Sequence, residues 1–297
     1  MNVIVTGGTG FVGTNLIKRL LKDGYKVVSL DNYSTGLKEN EQAGCQYFDV
    51  DLCEVKDYSL FMSNVDVIYH IGALARIQPS LTRPIHHIKN NVDSTLNVLE
   101  FARNEKIPVV YAGSSSKHHG LYGSPYAWSK WMGEEICKLY NQCYDVPMAI
   151  CRFYNVYGPH QLEDGPYCTV VGVFQNQVRD NQSLTITSDG EQRRDFTHVD
   201  DIVDGLIKCG DGLLGEGSSV VNGEEFELGR GVNFSINEVA DMFGEDYPRE
   251  YLPLRKGEYD KTLCTDTKAK ELLGWNPTRN LNDYMKDFVE TERFLNE

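Results

Sequence analysis

A tyrosine and a lysine four residues apart are the side chains of this sequence best suited to proton transfer. Tyr126 and Lys130 fall near the start of an amphipathic stretch, and their spacing places both on one face of a predicted helix. A nearby ammonium group favours the ionised form of a phenol, which can then exchange a proton with a substrate hydroxyl near neutral pH. The preceding predicted strand ends in Ser114-Ser115-Ser116, where a serine can hold the same substrate oxygen. This pattern indicates acid–base chemistry on a hydroxyl group.

A glycine-rich turn near the start of the chain has the spacing of a dinucleotide-binding loop. The segment Thr6–Gly13 follows the first predicted strand directly and opens the first predicted helix. Gly7 permits the tight turn, Gly10 lets the backbone approach a pyrophosphate, and Gly13 lets the helix pack closely on the strand. The free N–H groups and the helix dipole then face the negative charge of the cofactor. The strand–turn–helix context predicts a nucleotide site here.

An aspartate at the end of the second predicted strand indicates which dinucleotide binds. Asp31 lies where a carboxylate accepts hydrogen bonds from the adenosine ribose hydroxyls, about 20 residues after the glycines. The 2′-phosphate of NADP would meet this negative charge, and the next arginine along the chain is Arg76. We therefore expect NAD rather than NADP. Asp51 and Leu52, just after the third predicted strand, are candidates to flank the adenine.

Short apolar runs alternate with longer amphipathic stretches in the first half of the chain. The predicted strands are Val3–Thr6, Lys26–Leu30, Gln46–Val50, Val65–His70, Pro108–Ala112 and Pro147–Phe153, and the predicted helices are Val12–Lys22, Pro84–Asn104 and Pro125–Tyr144. Apolar runs without a period of two are typical of parallel strands covered on both faces. This half predicts an α/β fold, a doubly wound parallel sheet of the Rossmann type that binds ligands at the carboxyl ends of its strands.

Beyond about residue 160 the pattern changes to shorter strands and helices with frequent Gly and Asp. The predicted strands are Leu184–Thr187 and Ser219–Leu228, and the predicted helices are Thr169–Arg179, Val199–Lys208, Ile236–Phe243, Thr267–Leu273 and Leu281–Leu295. We expect an NAD-binding domain over residues 1–160 and a smaller mixed α/β lobe that binds the substrate over residues 161–297, with some later segments returning to the first domain.

The composition limits the class of protein and its partners. The 297 residues include 29 Lys and Arg against 43 Asp and Glu, a net charge of −14, which argues against nucleic acid and anionic membranes as partners. No apolar stretch approaches the ~20 residues of a membrane span, and Met1 leads straight into the first strand, without room for a signal peptide. The eight cysteines form no Cys-x-x-Cys pair, and paired histidines without a supporting carboxylate predict no metal site. We expect a cytoplasmic enzyme with reduced cysteines.

Further motifs follow one another in the order found in one enzyme family. They are Asp31–Gly36, Asn90-Asn91-Val92, Arg152–Pro159, Asp189–Phe196 and Leu272–Pro277. Together with the glycine loop and Tyr126-x-x-x-Lys130, they make the sequence resemble the extended short-chain dehydrogenases/reductases. It is similar within them to the NAD-dependent nucleotide-sugar epimerases and dehydratases, most of all to UDP-hexose 4-epimerases. The resemblance extends over nearly the whole chain.

The resemblance implies a role for the residues of each motif. Tyr126 is the implied acid and base, Lys130 adjusts it and binds the nicotinamide ribose, and Ser115, counted back from Gly120, binds the reacting hydroxyl. The implied cofactor-binding residues are Gly7, Gly10, Phe11, Val12, Gly13, Asp31, Asn32, Ser34, Thr35, Gly36, Asp51, Leu52, Ile71, Ala73, Asn91, Lys130, Phe153 and Tyr154. The implied substrate-binding residues are Ser115, Tyr126, Asn155, Arg194, Arg255 and Thr262, with the two arginines on the diphosphate. The small Thr262 would leave room beside C2 for an N-acetyl group.

Epimerisation at C4 is the expected activity, with a UDP-hexose or a UDP-N-acetylhexosamine as the expected substrate. The reaction passes through a 4-keto sugar with no net oxidation, so that NAD stays bound. Related 4,6-dehydratases carry Asp-Glu directly after the catalytic residue, where this chain has Ser116-Lys117, and a UDP-glucuronate decarboxylase usually carries a glutamate nearby that is also missing. A dehydratase, an NAD-linked reductase that needs free cofactor at each turnover, and a non-catalytic dinucleotide-binding sensor stay open as alternatives.

Two departures from the family pattern bear on the substrate. Lys117-His118-His119-Gly120 replaces the usual aliphatic–Tyr–Gly run, and only Leu121–Pro125 separates Gly120 from Tyr126, where the family commonly has a longer loop. We expect a more open pocket on this side, with His118 and His119 facing the solvent.

The two long predicted helices, Pro84–Asn104 and Pro125–Tyr144, have more apolar positions than one sheet face covers. Members of the family that this sequence resembles dimerise through these helices, and the resemblance therefore implies a homodimer.

Overall fold

The central element is a seven-stranded parallel sheet in a computed structural model that describes residues 1–215 and 218–296. Its strands are β1 (Asn2–Thr6), β2 (Lys26–Asp31), β3 (Cys45–Asp49), β4 (Val67–His70), β5 (Val109–Ser114), β6 (Met148–Phe153) and β11 (Glu224–Leu228). They run in the order β3-β2-β1-β4-β5-β6-β11, and every neighbouring pair is parallel. From β1 to β3 the chain adds strands toward one edge of the sheet, and from β4 onward it adds them toward the other edge. Such folds bind nucleotides at the point between β1 and β4 where this order reverses. The predicted doubly wound sheet is confirmed.

Helices cover both faces of this sheet. One face packs against α1 (Phe11–Lys22) and α6 (Val199–Leu214), and the other against α3 (Pro84–Glu105) and α4 (Pro125–Tyr144). Fully buried residues of the sheet therefore occur on both faces, as with Val5 on the α1 side and Ile4 on the α3 side. This two-sided burial is the reason that the strands read as continuous apolar runs. Within the two described ranges, none of the helices has both the length and the apolar composition that crossing a bilayer requires.

A smaller lobe with its own core follows the sheet. Its elements are β7 (Val156–Tyr157), β8 (Leu184–Thr187), β9 (Arg193–Asp195), β10 (Thr197–His198), β12 (Asn233–Ser235), β13 (Arg249–Leu252), α5 (Val170–Arg179), α8 (Ile236–Asp241) and α10 (Leu281–Asn296). The remaining helices are α2 (Ile77–Thr82), α7 (Ser218–Val221) and α9 (Lys268–Leu273), with short 3₁₀ turns at Lys38–Asn40, Tyr58–Leu60 and Ser115–His118. Phe174, Ile186 and Val239 lie in the core of the lobe.

The segment Ser219–Leu228, predicted as one strand, divides into α7 and β11. The β-branched Val221 packs into the core beside α6 instead of extending a strand, because its side chain lies against Gly212. Asn222 and Gly223 then join the chain to Met148 of β6, and the strand begins at Glu224. Both β11 and α6 follow residue 160 yet pack in or on the large sheet, so the chain passes between the lobes more than once. A division at residue 160 stays a prediction.

Candidate active site

A cavity of about 800 Å³ extends from the carboxyl ends of the sheet strands into the small lobe. Its wall includes Gly7 after β1, Asp31 at the end of β2, Ser114 at the end of β5 and Arg194 on β9. Every residue assigned above to a site lines this cavity except Asn91 and Tyr154. Segments distant in the sequence therefore meet at one place, which is large enough for a cofactor or a drug-sized ligand.

The glycine loop forms a close backbone turn at one end of the cavity. Gly7 has φ +69°, and a Cβ added there would lie 2.6 Å from the Cα of Gly72. A Cβ on Gly13 would lie 2.1 Å from the carbonyl oxygen of Gly7, so α1 can pack this closely only with glycine at that position. Gly10 is the N-cap of α1 and lines the cavity without a side chain in the way. The loop thus presents backbone to a ligand.

The Asp31 carboxylate is fixed at the end of β2 by two backbone groups. One oxygen accepts a hydrogen bond from the N–H of Thr9 (2.9 Å) and the other from the N–H of Tyr33 (2.9 Å). Each carboxylate oxygen has a second lone pair, so both can still accept hydrogen bonds from ribose hydroxyls. The glycine turn and this carboxylate together fit the adenosine and pyrophosphate of NAD.

The start of α4 positions Tyr126. The Ser124 hydroxyl caps the helix by accepting a hydrogen bond from the N–H of Ala127, and Pro125 occupies the first turn. The N–H of Tyr126 donates to the Ser80 hydroxyl (3.1 Å), which ties α4 to α2. The Tyr126 hydroxyl donates to Ser114 Oγ at 3.3 Å. The serine in contact with the phenol is thus Ser114, while Ser115 also lines the cavity.

Lys130 lies one helical turn after Tyr126 and also lines the cavity. Its ammonium nitrogen is 4.3 Å from the centre of the Tyr111 ring, within cation–π distance. Burial lowers the pKa of Lys130 to about 8, against the opposing influence of the Glu134 carboxylate. The side chain is therefore a buried cation close to its titration range at neutral pH.

Asn91 and Tyr154 were assigned to the cofactor, but the structure does not bring them to the cavity wall. The Asn91 amide bonds the backbone N–H and C=O of Leu74 (2.8 and 3.1 Å) and donates to the Ser129 hydroxyl. Asn91 therefore fixes the backbone of Leu74, and Leu74 lines the cavity. Tyr154 is buried beside Gly229, and that contact turns its ring away from the cavity.

The small lobe brings two arginines and one carboxylate to the other end of the cavity. Arg194 Nη2 lies 3.1 Å from Glu258, whose second oxygen lies 3.5 Å from Arg255 Nε. Burial lowers the pKa of Arg194, and Arg255 is 56% exposed. The Thr262 hydroxyl accepts hydrogen bonds from Asn155 Nδ2 (3.1 Å) and from the N–H of Asp195 (3.0 Å), so this side chain fixes the position of Asn155.

Arg76 and Tyr259 are among the wall residues that were not assigned from the sequence. Arg76 directly follows the apolar stretch that contains β4. A charged residue just after a buried strand of such a sheet is the sequence signal that could have indicated a site residue. Tyr259 packs against His119 with ring centres 5.5 Å apart. His119 is thus partly buried, which contradicts the solvent-facing prediction, while His118 is exposed and bonds Glu227 at 2.8 Å.

Arg152 on β6 pairs with Gly113 of β5, the strand that carries Ser114. Its guanidinium contacts Glu134 (2.8 Å), Glu227 (2.7 Å) and Glu225. Lys117 adds a second cation 3.6 Å from Glu134, whose side chain is 0% exposed. Arg152 and these three glutamates are called the Arg152 cluster below. The glutamates compensate the charge of Arg152, and none of the four residues lines the cavity.

Comparisons with known proteins agree with this geometry. Residues 3–222 match the NAD dependent epimerase/dehydratase family. The chain is 31% identical to a putative UDP-glucose 4-epimerase of Methanocaldococcus jannaschii over 97% of both chains, and 31% identical to a UDP-glucuronic acid decarboxylase of Arabidopsis thaliana over 97% of this chain and 68% of that one. The structure of a UDP-glucose 4-epimerase of Thermotoga maritima with UDP-glucose superposes with a TM-score of 0.89, at 27% identity and with full coverage of both chains. This chain belongs to the NAD dependent epimerase/dehydratase family.

Proposed function

We propose that this protein is an NAD-dependent 4-epimerase of a UDP-sugar. The observation that carries the proposal is a single cavity that joins a dinucleotide-binding loop, the Tyr126–Lys130 pair and an arginine-lined end. Similarity to UDP-glucose 4-epimerases over the full length of the chain supports it.

Gly7, Gly10 and Gly13 would hold the pyrophosphate of NAD, and Asp31 the adenosine ribose. Bound NAD supplies the group that takes hydride from C4 of the sugar and returns it to the other face, with a 4-keto sugar between the two transfers. Since no electrons are gained or lost overall, the protein retains its cofactor.

Tyr126 would remove the proton from the C4 hydroxyl and return it after the sugar has turned. Tyr126 lines the cavity, and the buried Lys130 lies one helical turn after it on α4 and lines the same cavity. Ser114 fixes the Tyr126 hydroxyl by their hydrogen bond, and Ser115 would bind the reacting sugar hydroxyl. These groups give orientation and proton transfer.

Arg194 and Arg255 would bind the diphosphate, because planar guanidinium groups match phosphate oxygens. Asn155 would lie beside them, fixed by Thr262. A diphosphate held in this way anchors the substrate while the sugar ring turns between its two orientations.

The Arabidopsis relative makes decarboxylation the alternative to be tested first. The experiment is anomeric proton NMR of the purified protein with UDP-glucose, UDP-N-acetylglucosamine or UDP-glucuronate, without added cofactor. A 4-epimer at constant total sugar nucleotide is the expected product. A UDP-pentose would indicate a decarboxylase, a 4-keto-6-deoxy sugar would indicate a dehydratase, and a requirement for stoichiometric NADH would indicate a reductase. Cofactor bound without any turnover would favour the non-catalytic sensor.

We also propose that the protein is a cytoplasmic homodimer formed through α3 and α4. Leu96 of α3 and Leu139 of α4 expose 37% and 52% of their surface, and the cysteines are free thiols. Sedimentation equilibrium at micromolar concentration should give twice the chain mass, and a monomer would contradict the dimer.

A further inference from the structure

Arg76 is a cation that points into the cavity near the reactive tyrosine. The hydrogen bond that fixes its side chain runs from Nε to the carbonyl oxygen of Tyr167 (2.9 Å). A guanidinium group has five N–H donors, so this bond leaves its outer nitrogens able to bind a ligand. Tyr126 and Cys168 are the ionisable groups close enough to favour the charged form of Arg76.

No carboxylate among the described residues forms an ion pair with Arg76. Among the described residues, the ion pairs of the cavity arginines join Arg194 and Arg255 to Glu258, and Arg76 takes part in none. Burial lowers the pKa of Arg76 and raises that of the Cys168 thiol to about 11, so the thiol is neutral at pH 7. A buried cation without a counterion is costly unless a ligand supplies one.

The backbone at Arg76 is also strained, with φ +119°. Residues other than glycine seldom adopt such a conformation, and where they do, the surrounding structure maintains it, frequently at ligand sites. Ser80 of the following helix bonds the N–H of Tyr126. The strained residue is thus linked through α2 to the catalytic helix, and the strain is retained where it presents a cation to the cavity.

The order of groups along the cavity relates Arg76 to the diphosphate site. Tyr259 has Tyr126, Arg194 and Glu258 as ionisable neighbours, while those of Arg76 are Tyr126 and Cys168. Arg194 would hold the diphosphate on C1, and Tyr126 would meet the hydroxyl on C4. Of the two ring carbons bonded to C4, C5 carries C6, so a group next to Tyr126 lies within reach of a C6 substituent.

We propose that Arg76 binds a carboxylate at C6 of the sugar, so that the preferred substrate is a UDP-hexuronic acid. This inference rests on the proposed 4-epimerase function and narrows its substrate class. A carboxylate matches the guanidinium in charge and geometry, whereas the C6 hydroxyl of a neutral hexose would leave the cation uncompensated. Arg76 holds this carboxylate in one of the two orientations of the ring, and the diphosphate alone anchors the substrate while the ring turns.

The test compares UDP-glucuronate with UDP-glucose for the full-length protein and for Arg76→Gln. The wild type should have a kcat/KM at least about 100-fold higher for UDP-glucuronate, because truncating one member of a buried charge pair has effects of this order. Arg76→Gln should lower kcat/KM for UDP-glucuronate by about 100-fold and change that for UDP-glucose by less than about threefold. Arg83→Gln, which removes an exposed charge at the other end of α2, is the matched control and should change neither.

Equal or better turnover of UDP-glucose by the wild type would overturn the inference, and so would an equal loss of both activities in a folded Arg76→Gln protein. If that variant fails to fold, the wild-type preference alone decides. The two proposals fail differently: UDP-glucose epimerised with UDP-glucuronate inert would remove only the hexuronate specificity. Inertness toward every UDP-sugar would remove the epimerase function and this inference with it.

Discussion

Arg152, which is buried, and Arg76, which is half-buried, are two arginines near the catalytic residues with opposite surroundings. Arg152 contacts Glu134, Glu225 and Glu227, and its charge is neutralised within the protein. Arg76 lines the cavity, and its described hydrogen bond is to a backbone carbonyl. A cation whose counterions belong to the same chain contributes to the fold, while a cation without them is available to a substrate. Variants facing the cavity should therefore change turnover, and variants of the Arg152 cluster should change stability.

The largest effect is expected on the cavity side, from Tyr126→Phe. Loss of the proton-transferring hydroxyl should lower kcat by about 10²–10⁴-fold, while the urea midpoint and the bound NAD stay as in the wild type. Tyr122→Phe is the matched control, because Tyr122 is 84% exposed in the loop before α4. Steady-state kinetics and cofactor absorbance measure both. A Tyr126→Phe protein with more than a tenth of wild-type kcat would remove Tyr126 from the chemistry.

The comparison itself is tested by replacing each arginine with methionine. Arg152→Met removes the buried cation that Glu134, Glu225 and Glu227 share and should lower the free energy of unfolding by about 3–5 kcal/mol. Arg76→Met removes an uncompensated charge and should leave that free energy equal or higher. Urea titrations in the absence of substrate measure both variants. Equal losses would show that the two arginines do not differ in the way proposed.

Lys130 connects the two regions, since it lines the cavity while Glu134 of the Arg152 cluster favours its charge. Burial lowers its pKa from 10.5 to about 8, so the unfolded chain binds the proton more tightly than the folded one. The cost of the buried ammonium is therefore full below pH 8 and is relieved as the pH rises toward 10.5.

Relative to Lys130→Met, the wild type should gain up to about 3 kcal/mol of stability between pH 8 and pH 10.5. Urea titrations of both proteins across this range measure the difference, in which the titrations of other groups cancel. A difference that does not depend on pH would show that the lysine keeps its ordinary pKa.

The smallest effect separates the neighbouring serines. Ser114→Ala removes the hydroxyl that bonds Tyr126, and Ser115→Ala removes the one expected to bind the sugar. Each should lower kcat/KM by about tenfold, the size of one neutral hydrogen bond. If either variant keeps full activity, the role assigned to that serine is wrong, and the other serine supplies the catalytic hydroxyl.

Local spacing predicted the parts of the site that lie within one strand, turn and helix. The glycine loop, Asp31 and the Tyr126–Lys130 pair fall in this class, because periodicity and turn chemistry act over a few residues. Contacts between segments distant in the sequence could not be predicted from local spacing. The pairing of β11 with β6 joins residues about 75 positions apart, and no short pattern encodes it.

The places where the structure departs from the expected site have the same origin. Asn91 has the residue type of a ligand, but its amide is used by Leu74, 17 residues away. Which serine meets Tyr126 depends on the 3₁₀ turn at Ser115–His118, and a count along the chain does not reveal it. Arg76 stands out because no carboxylate among the described residues pairs with it. Only the assembled fold shows which acidic residues come near an arginine, so the sequence could not predict this.

The most direct test of the account follows the C4 hydrogen of the sugar. A UDP-sugar with deuterium at C4 is incubated with the protein without added cofactor, and the product is examined by NMR and mass spectrometry. Retention of the deuterium at C4 of the epimer is the predicted result, since a hydride transferred to bound NAD and back does not exchange with water. Loss of the label to solvent, or an absolute requirement for added NAD at each turnover, would contradict the account.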